Sequence, residues 1–300
     1  MCAEVVEMRI ATWNVNSLKA RLEKVIWWLD RTKPDLLLMQ ETKLADADVP
    51  TGVFQDAGYA IVHHGEGRWN GVAIASRCGI DAVVTNFGEP LRPAQTSDAG
   101  DDEPLAEARM ISAECGGVRV VCVYAPNGRV VESSFYEAKL LWFDRLTRWL
   151  QGVADAGAPV VLGGDLNVAP EDIDVWDPRA CHGGTHVSKR EREAFARLCQ
   201  LGLIDAYRLR HPEPGRYTWW DYRAGNFHKN FGMRIDHLLL ATPLQPRVVW
   251  AEIDREARKG KPTPSDHAPL VVDIDQPGWP FDAGWASAEE RIVGRLKRPR

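Results

Sequence analysis

The chain has 300 residues, 45% of them apolar, a formal net charge of −5 and a pI of about 5.9. That length admits one large α/β or all-β domain or two smaller ones, and the apolar share supports a sizeable core. The acidic balance argues against a purely electrostatic nucleic-acid binder, which shows a basic footprint, but not against an enzyme whose site carries its own carboxylates.

No run approaches ~18 consecutive apolar residues, so no membrane span is expected. The opening MCAEVVEMRIA lacks the apolar stretch of a signal peptide, and Met8 offers an alternative start because patterned sequence begins at Arg9. The six cysteines (Cys2, Cys78, Cys115, Cys122, Cys181 and Cys199) form no C-x-x-C pair and have no histidines at zinc-ligand spacing. They predict free thiols and a cytoplasmic location.

In chain order, residues 9–13 read as a strand, 14–17 as a polar turn, and 18–30 as a helix with Leu22, Val25, Ile26 and Leu29 on one stripe. Pro34-Asp35 breaks it, and the apolar run 36–39 predicts a buried strand that delivers Gln40 and Glu41 at its end. Residues 71–76 and 80–87 predict strands, 98–104 a hydrophilic loop, and 108–115 with 118–124 a hairpin about Gly116-Gly117. Residues 134–152 are the strongest helix. Residues 159–162 predict a buried strand running into Gly163-Gly164-Asp165, and 191–201 a helix stopped by Gly202. Strands are expected at 217–222, 235–240 and 270–274. After Pro277 the composition shifts to a tail ending in RLKRPR, with helical spacing near 289–296. The two halves echo each other: Asn14, Glu41 and Tyr124 end strands of the first, while Asp165, Asn167, Asp236, Asp266 and His267 come from the second. This predicts two packed sheets with a site at one end.

The chemistry concentrates in a few segments. In GGDLNVAP, an extended backbone would point Asp165 and Asn167 the same way, offering an oxygen-rich site for water or Mg²⁺; the same residues also suit a plain turn. TPSDHAP holds an acid and an imidazole, Asp266 and His267, between prolines. Glu41 at the mouth of LLLMQ reads either as a metal ligand or as a helix-start charge. Asp236 in RIDHLLL begins an apolar strand and needs a partner, for which His267 is the natural candidate. Tyr124 closes VVCVY.

TWNVNSL, QETKL, YAPNG, GGDLNVAP, RIDHLLL and SDHAP stand in the order and approximate spacing of the exonuclease III family of DNA-repair nucleases, within the endonuclease/exonuclease/phosphatase superfamily. The resemblance runs from Arg9 to Ile274. It implies a deoxyribonuclease I-like α/β fold: a four-layer sandwich of two mostly antiparallel sheets flanked by helices, here one domain over 8–276 with a tail at 277–300. It also implies roles. Glu41 is the main ligand of Mg²⁺ (or Mn²⁺) with Asn14 beside it. Asp165 orients or deprotonates the attacking water, and Asn167 positions it. Asp266 lies at or near a second metal position, and Asp165, Asn167 and His267 also belong to the implied metal-binding set. His267, oriented by Asp236, and Tyr124 hold the scissile phosphate.

By the same resemblance Trp219, Met233 and Ile235 wall an apolar pocket for a sugar without its base, although Trp219 and Trp220 also fit ordinary strand positions. Asn127 and Arg129 are candidate substrate contacts and Arg68, Asn70, Lys139, Lys229 and Arg234 a candidate basic rim, although each of these charges except Arg234, which is tied to the Asp236 motif, also reads as an ordinary solvated one. His186, in the loop GGTHV, narrows the pocket and shifts preference towards 3′ ends. The implied partner is double-stranded DNA with abasic sites or 3′ ends, the expected state a monomer, and the activities abasic-site incision, 3′→5′ exonuclease and 3′-phosphodiesterase. Competing readings are a superfamily relative acting on inositol phosphates or sphingomyelin, and an inactive DNA-binding scaffold.

Overall fold

The computed structural model describes residues 7–88, 107–155 and 159–275. Cys2, the loop 98–104 and the tail from Pro277 lie outside these residues. The strands are β1 (Met8–Asn14), β2 (Leu36–Gln40), β3 (Ala60–His64), β4 (Val72–Ser76), β5 (Asp81–Thr85), β6 (Met110–Cys115), β7 (Val118–Tyr124), β8 (Val160–Asp165), β9 (Leu203–Asp205), β10 (Asp236–Ala241), β11 (Val248–Ile253) and β12 (Leu270–Ile274). The helices are α1 (Leu18–Thr32), α2 (Thr51–Asp56), α3 (Ser134–Asp155), α4 (Pro178–Cys181), α5 (Lys189–Gln200), α6 (Ala206–Arg210) and α7 (Asn226–Lys229).

Two six-stranded sheets result, ordered β11-β12-β1-β2-β4-β3 and β5-β6-β7-β8-β10-β9. Each contains one parallel pair, β1 with β2 and β7 with β8, and is otherwise antiparallel. A parallel pair needs a crossover, and α1 and α3 supply the two. Strand alternation explains the layers. Leu36 and Leu38 face the second sheet in one core cluster, with Ile10, Ile74, Val120, Cys122, Val161 and Leu238. Leu37 and Met39 turn the other way, onto Val25, Trp28 and Leu29 of α1. Val121 and Val123 meet Leu140, Phe143 and Leu146 of α3. Strands buried on both faces must be apolar throughout, which is why the run at 36–39 shows no alternation.

The division of the chain differs from the expected halves. The first sheet takes β1–β4 together with β11 and β12 from the far end, and the second takes β5–β10. Tyr124 therefore belongs with Asp165, and His267 with Asn14. The expected strand at 217–222 is absent, because its backbone pairings are shared out singly. Thr218 and Trp219 N–H donate to Met233 O, Trp220 N–H donates to Asp266 O, and Thr218 O accepts from Ala268. The strand expected at 80–87 ends at Thr85, where Phe87 takes φ 61° and packs its ring on Trp142. No helix among the described residues is long and apolar enough to cross a membrane, and the described cysteines are free.

The glycine pair of β8 sets how closely its neighbours approach. A Cβ on Gly164 would stand 1.9 Å from Val123 O on β7, a rigid backbone atom. On Gly163 it would meet the ends of Leu38 and Leu238 at 2.5 and 2.7 Å, which can rotate away. Gly163→Ala should therefore cost about 1–3 kcal/mol in denaturant unfolding, as overpacking usually does, and Gly164→Ala distinctly more. Equal losses would show that β7 and β8 can separate freely.

Candidate active site

The C-terminal ends of both parallel pairs emerge at one end of the sandwich. β1 and β2 deliver Asn14 and Glu41; β7 and β8 deliver Tyr124 and Asp165, whose register partner at the start of β10 is Asp236. The loop entering β12 adds Asp266 and His267. Asn14 Nδ2 donates to Glu41 Oε1 at 2.9 Å and to Asp165 Oδ2 at 3.0 Å, joining carboxylates of opposite sheets. His267 Nδ1 lies 2.8 Å from Asp236 Oδ2, and its Nε2 faces Asp165 Oδ2 at 3.9 Å. Asn14, Asp165, Asp236 and His267 are all buried.

Burial this deep forces the acids and the imidazole to adjust. Asp165 is pushed up to about 7, first by burial and then by the charge of Asp236. Burial disfavours the charged form of His267, but Asp236 and Asp165 outweigh it and raise the imidazole to about 10, so it is cationic at neutral pH. Burial alone would raise Glu41, yet Lys43 and the Asn14 amide hold it below the usual carboxylate range. Tyr124 stands well above its ordinary value through burial and the nearby charge of Glu41, and it keeps its proton as a donor. The Arg109 guanidinium lies 4.7 Å from the Tyr124 ring centre and orients it.

The turn after β8 is not extended. Asn167 takes φ 51°, and its N–H donates to Asp165 Oδ1 at 2.9 Å, so the two side chains are set by a local turn rather than by strand alternation. Asn167 Nδ2 donates to Ala125 O, and Asn127 Nδ2 reaches Asn167 Oδ1 at 3.4 Å. His186 Nδ1 donates to Asn167 O at 2.6 Å. Trp219, Met233 and Ile235 do come together, in a small apolar cluster with Ala169, Val175 and Val187, though Ile235 is buried behind the other two. Asp266 Oδ1 accepts from Asn16, and its Oδ2 accepts from Trp219 Nε1 at 3.1 Å. Arg129 is exposed and stacks on Phe135.

The chain matches the model of the Endonuclease/Exonuclease/phosphatase family over residues 11–267. It belongs to that family. The exodeoxyribonuclease of Bacillus subtilis is 32% identical over 272 residues, 89% of this chain and 100% of its own length. Two solved structures are each 38% identical, with a TM-score of 0.80, covering 90% of this chain and 100% of theirs. One is an AP endonuclease from Archaeoglobus fulgidus; the other is a 3′ phosphatase from Neisseria bound to a product DNA hairpin. The chain is thus a nuclease of the exonuclease III and AP endonuclease branch.

Within that family frame, the buried set fits a divalent cation. Asp165 and Asp236 bring carboxylate oxygens within 4.8 Å of each other, beside the His267 imidazole. Asp236 Oδ1 is buried with no hydrogen-bond partner, and the carboxylates of Glu41 and Asp165 converge on one amide. Asn14 presents its nitrogen to both carboxylates while its oxygen accepts from Asn16 N–H. Asp266 likewise has both oxygens engaged.

The expected basic rim shrinks. Lys139 is buried against Glu191, and Arg234 is buried between Asp174 and Asp205, whereas Arg68 and Lys229 remain exposed.

Several supporting residues escaped the sequence reading. Lys43 Nζ pairs with Glu41 at 2.8 Å and also donates to Asn16. Ser265 donates to Asn14 O at 2.7 Å and accepts from His267 N, and Thr218 Oγ1 accepts from the N–H of both Ile235 and Asp236. The K in QETKL and the S in SDHAP lay inside quoted motifs; nothing local marked Thr218.

Asp165 must be anionic to hold a cation, and its raised pKa keeps it largely protonated below pH about 7. Cation binding should therefore release a proton and tighten as pH rises from about 6 to about 8. Calorimetry in buffers of different ionisation enthalpy checks this; affinity independent of pH over that window would contradict it.

Proposed function

We propose that this chain is a Mg²⁺-dependent DNA-repair phosphodiesterase (Mn²⁺ substituting) that acts on double-stranded DNA at abasic sites or blocked 3′ ends. The observation that carries the reading is the buried pairing of opposites. Cationic His267, held by Asp236, faces Asp165, which is tied through Asn14 to Glu41. Phosphodiester hydrolysis needs an activated water on one side of phosphorus and positive charge against the phosphate oxygens. A bound cation supplies Lewis acidity toward the phosphate and eases deprotonation of water.

Around it, Glu41 and Asp165 would hold the cation. Asp165 with Asn167 would orient the attacking water, and the Asp165 carboxylate would take the water's proton. His267 Nε2–H would donate to a phosphate oxygen while Nδ1–H stays on Asp236, which fixes the ring's orientation. Tyr124, which keeps its proton, would donate to the same phosphate or the leaving oxygen. Asp266, bonded to Trp219, would brace the sugar pocket. Residues 8–276 would form one catalytic domain, working as a monomer in the cytoplasm.

The pocket side decides which DNA is presented. Trp219 and Met233 give an apolar wall suited to a deoxyribose without its base, since a full nucleotide must first be unstacked at a cost of a few kcal/mol. His186 borders the same turn with φ 76°, a left-handed conformation that favours glycine, so its ring is kept there against local preference. That supports a role for the ring in narrowing the pocket towards 3′ ends. His186→Gly relieves the backbone and removes the ring. It should raise abasic-site incision relative to 3′-end cleavage by roughly tenfold; an unchanged ratio removes His186 from this role.

The central test uses a duplex oligonucleotide carrying one abasic analogue and a second carrying a blocked 3′ end. Cleavage of at least one with Mg²⁺, and none with EDTA, is expected. Asp165→Asn should lower turnover by roughly a thousandfold while sparing DNA binding. Cleavage in EDTA, or full activity of the variant, would overturn the assignment.

A further inference from the structure

Below the turn that carries Asn167 lies a charge pair that the proposed chemistry does not use. Lys139 on α3 is completely buried, as is Glu191 on α5, and the two are ion-paired. A buried pair of this kind is a poor source of stability, because desolvation of both ions offsets their attraction. Its partners suggest another reason for its presence. Lys139 Nζ donates to Asn167 O at 2.6 Å and lies 3.4 Å from Asn127 O. Glu191 Oε1 accepts from His186 N–H at 2.9 Å and lies 2.9 Å from the Thr185 hydroxyl, itself 3.0 Å from Asn127 O. Glu191 Oε2 accepts from Ser188 N–H and Oγ. The ring of His186 then returns to Asn167 O, and Ala169 N–H closes the circuit on His186 O at 2.8 Å.

We propose that Lys139, through Glu191, is a positioning residue that locks the loop 183–188 and the turn 165–169 into one rigid unit, so that the residues facing the substrate end and those facing the water move together. The two backbones carry no secondary structure between them, and this hub supplies the connection that a sheet would otherwise make. Asn167 holds a left-handed φ, and such a conformation persists only where surrounding bonds over-determine it. A small displacement of a group that orients a reacting water can cost about a hundredfold in rate without weakening substrate binding.

The inference rests on the phosphodiesterase reading for its kinetic arm only. Lys139→Met fills the space but leaves Glu191 a buried charge without its counter-ion, which destabilises the fold, so Lys139→Met is measured beside Lys139→Met/Glu191→Gln, which removes that charge while the Gln oxygen still accepts from His186 N–H. Leu29→Ala on α1, buried in the core cluster on the outer face of the first sheet, which holds no residue of either segment, serves as a control for general loss of stability. Lys139→Met should lower kcat by roughly tenfold to a hundredfold with KM changed less than about threefold. Hydrogen exchange should accelerate in 165–169 and 183–188 selectively, whereas Leu29→Ala should accelerate exchange through α1 and leave kcat alone. If Lys139→Met matches the control in both readouts, the proposal is overturned. Selective exchange in a protein without phosphodiesterase activity would uphold the locking role and refute the functional reading instead.

Discussion

Everything at the working end of this molecule depends on the Asn14 side chain standing between two carboxylates. Glu41 ends a strand of one sheet and Asp165 a strand of the other, and a single amide nitrogen bonds both within 3.0 Å. Burying two acids against each other is unfavourable unless donors and opposite charges answer them. Lys43 answers Glu41, and His267 answers Asp165 from across the seam. The balance remains incomplete, since Asp236 keeps a buried oxygen without a partner and Asp165 is pushed to near neutrality. A site that holds this much unanswered negative charge is prepared for a cation.

The architecture makes that meeting possible. Each sheet contains one parallel pair, and a parallel pair brings two strand ends to the same edge, which an antiparallel hairpin cannot do. Packing the sheets face to face then brings both pairs' ends together. The remaining groups arrive on loops, and each loop is fixed by side chains that do no chemistry. Ser265 ties the His267 loop to Asn14, Thr218 holds the backbone of Asp236, and His237 donates to Val168 O in the turn after β8. Rigidity comes from these bonds, since loop backbones have no ladder to share.

Much of the core was legible in the sequence because burial on both faces leaves apolar runs such as 36–39 and 120–123, and because polar residues at the ends of such runs stand out. Asn14, Glu41, Tyr124, Asp165 and Asp236 were visible in that way, His267 stood out beside Asp266 between prolines, and their grouping into one site came from the resemblance to the exonuclease III family. What the sequence hid depends on the third dimension. β11 and β3 are edge strands with partial exposure, so their patterns are diluted. Lys139 and Arg234 look like surface cations until their buried partners Glu191, Asp174 and Asp205, far off in sequence, come into contact. The segment 217–222 has strand composition but spends its hydrogen bonds on two different neighbours. The side-by-side placement of Asp165 and Asn167 came from a turn, not from the extended backbone that the spacing suggested.

The central claim is that a divalent cation sits where the two sheets meet. The most direct measurement is anomalous diffraction from crystals soaked in Mn²⁺. The account predicts a peak within coordination distance, about 2.0–2.3 Å, of carboxylate oxygens of Glu41 and Asp165. A clear Mn²⁺ peak elsewhere on the protein, with none between these two carboxylates at a concentration that supports turnover, would contradict it.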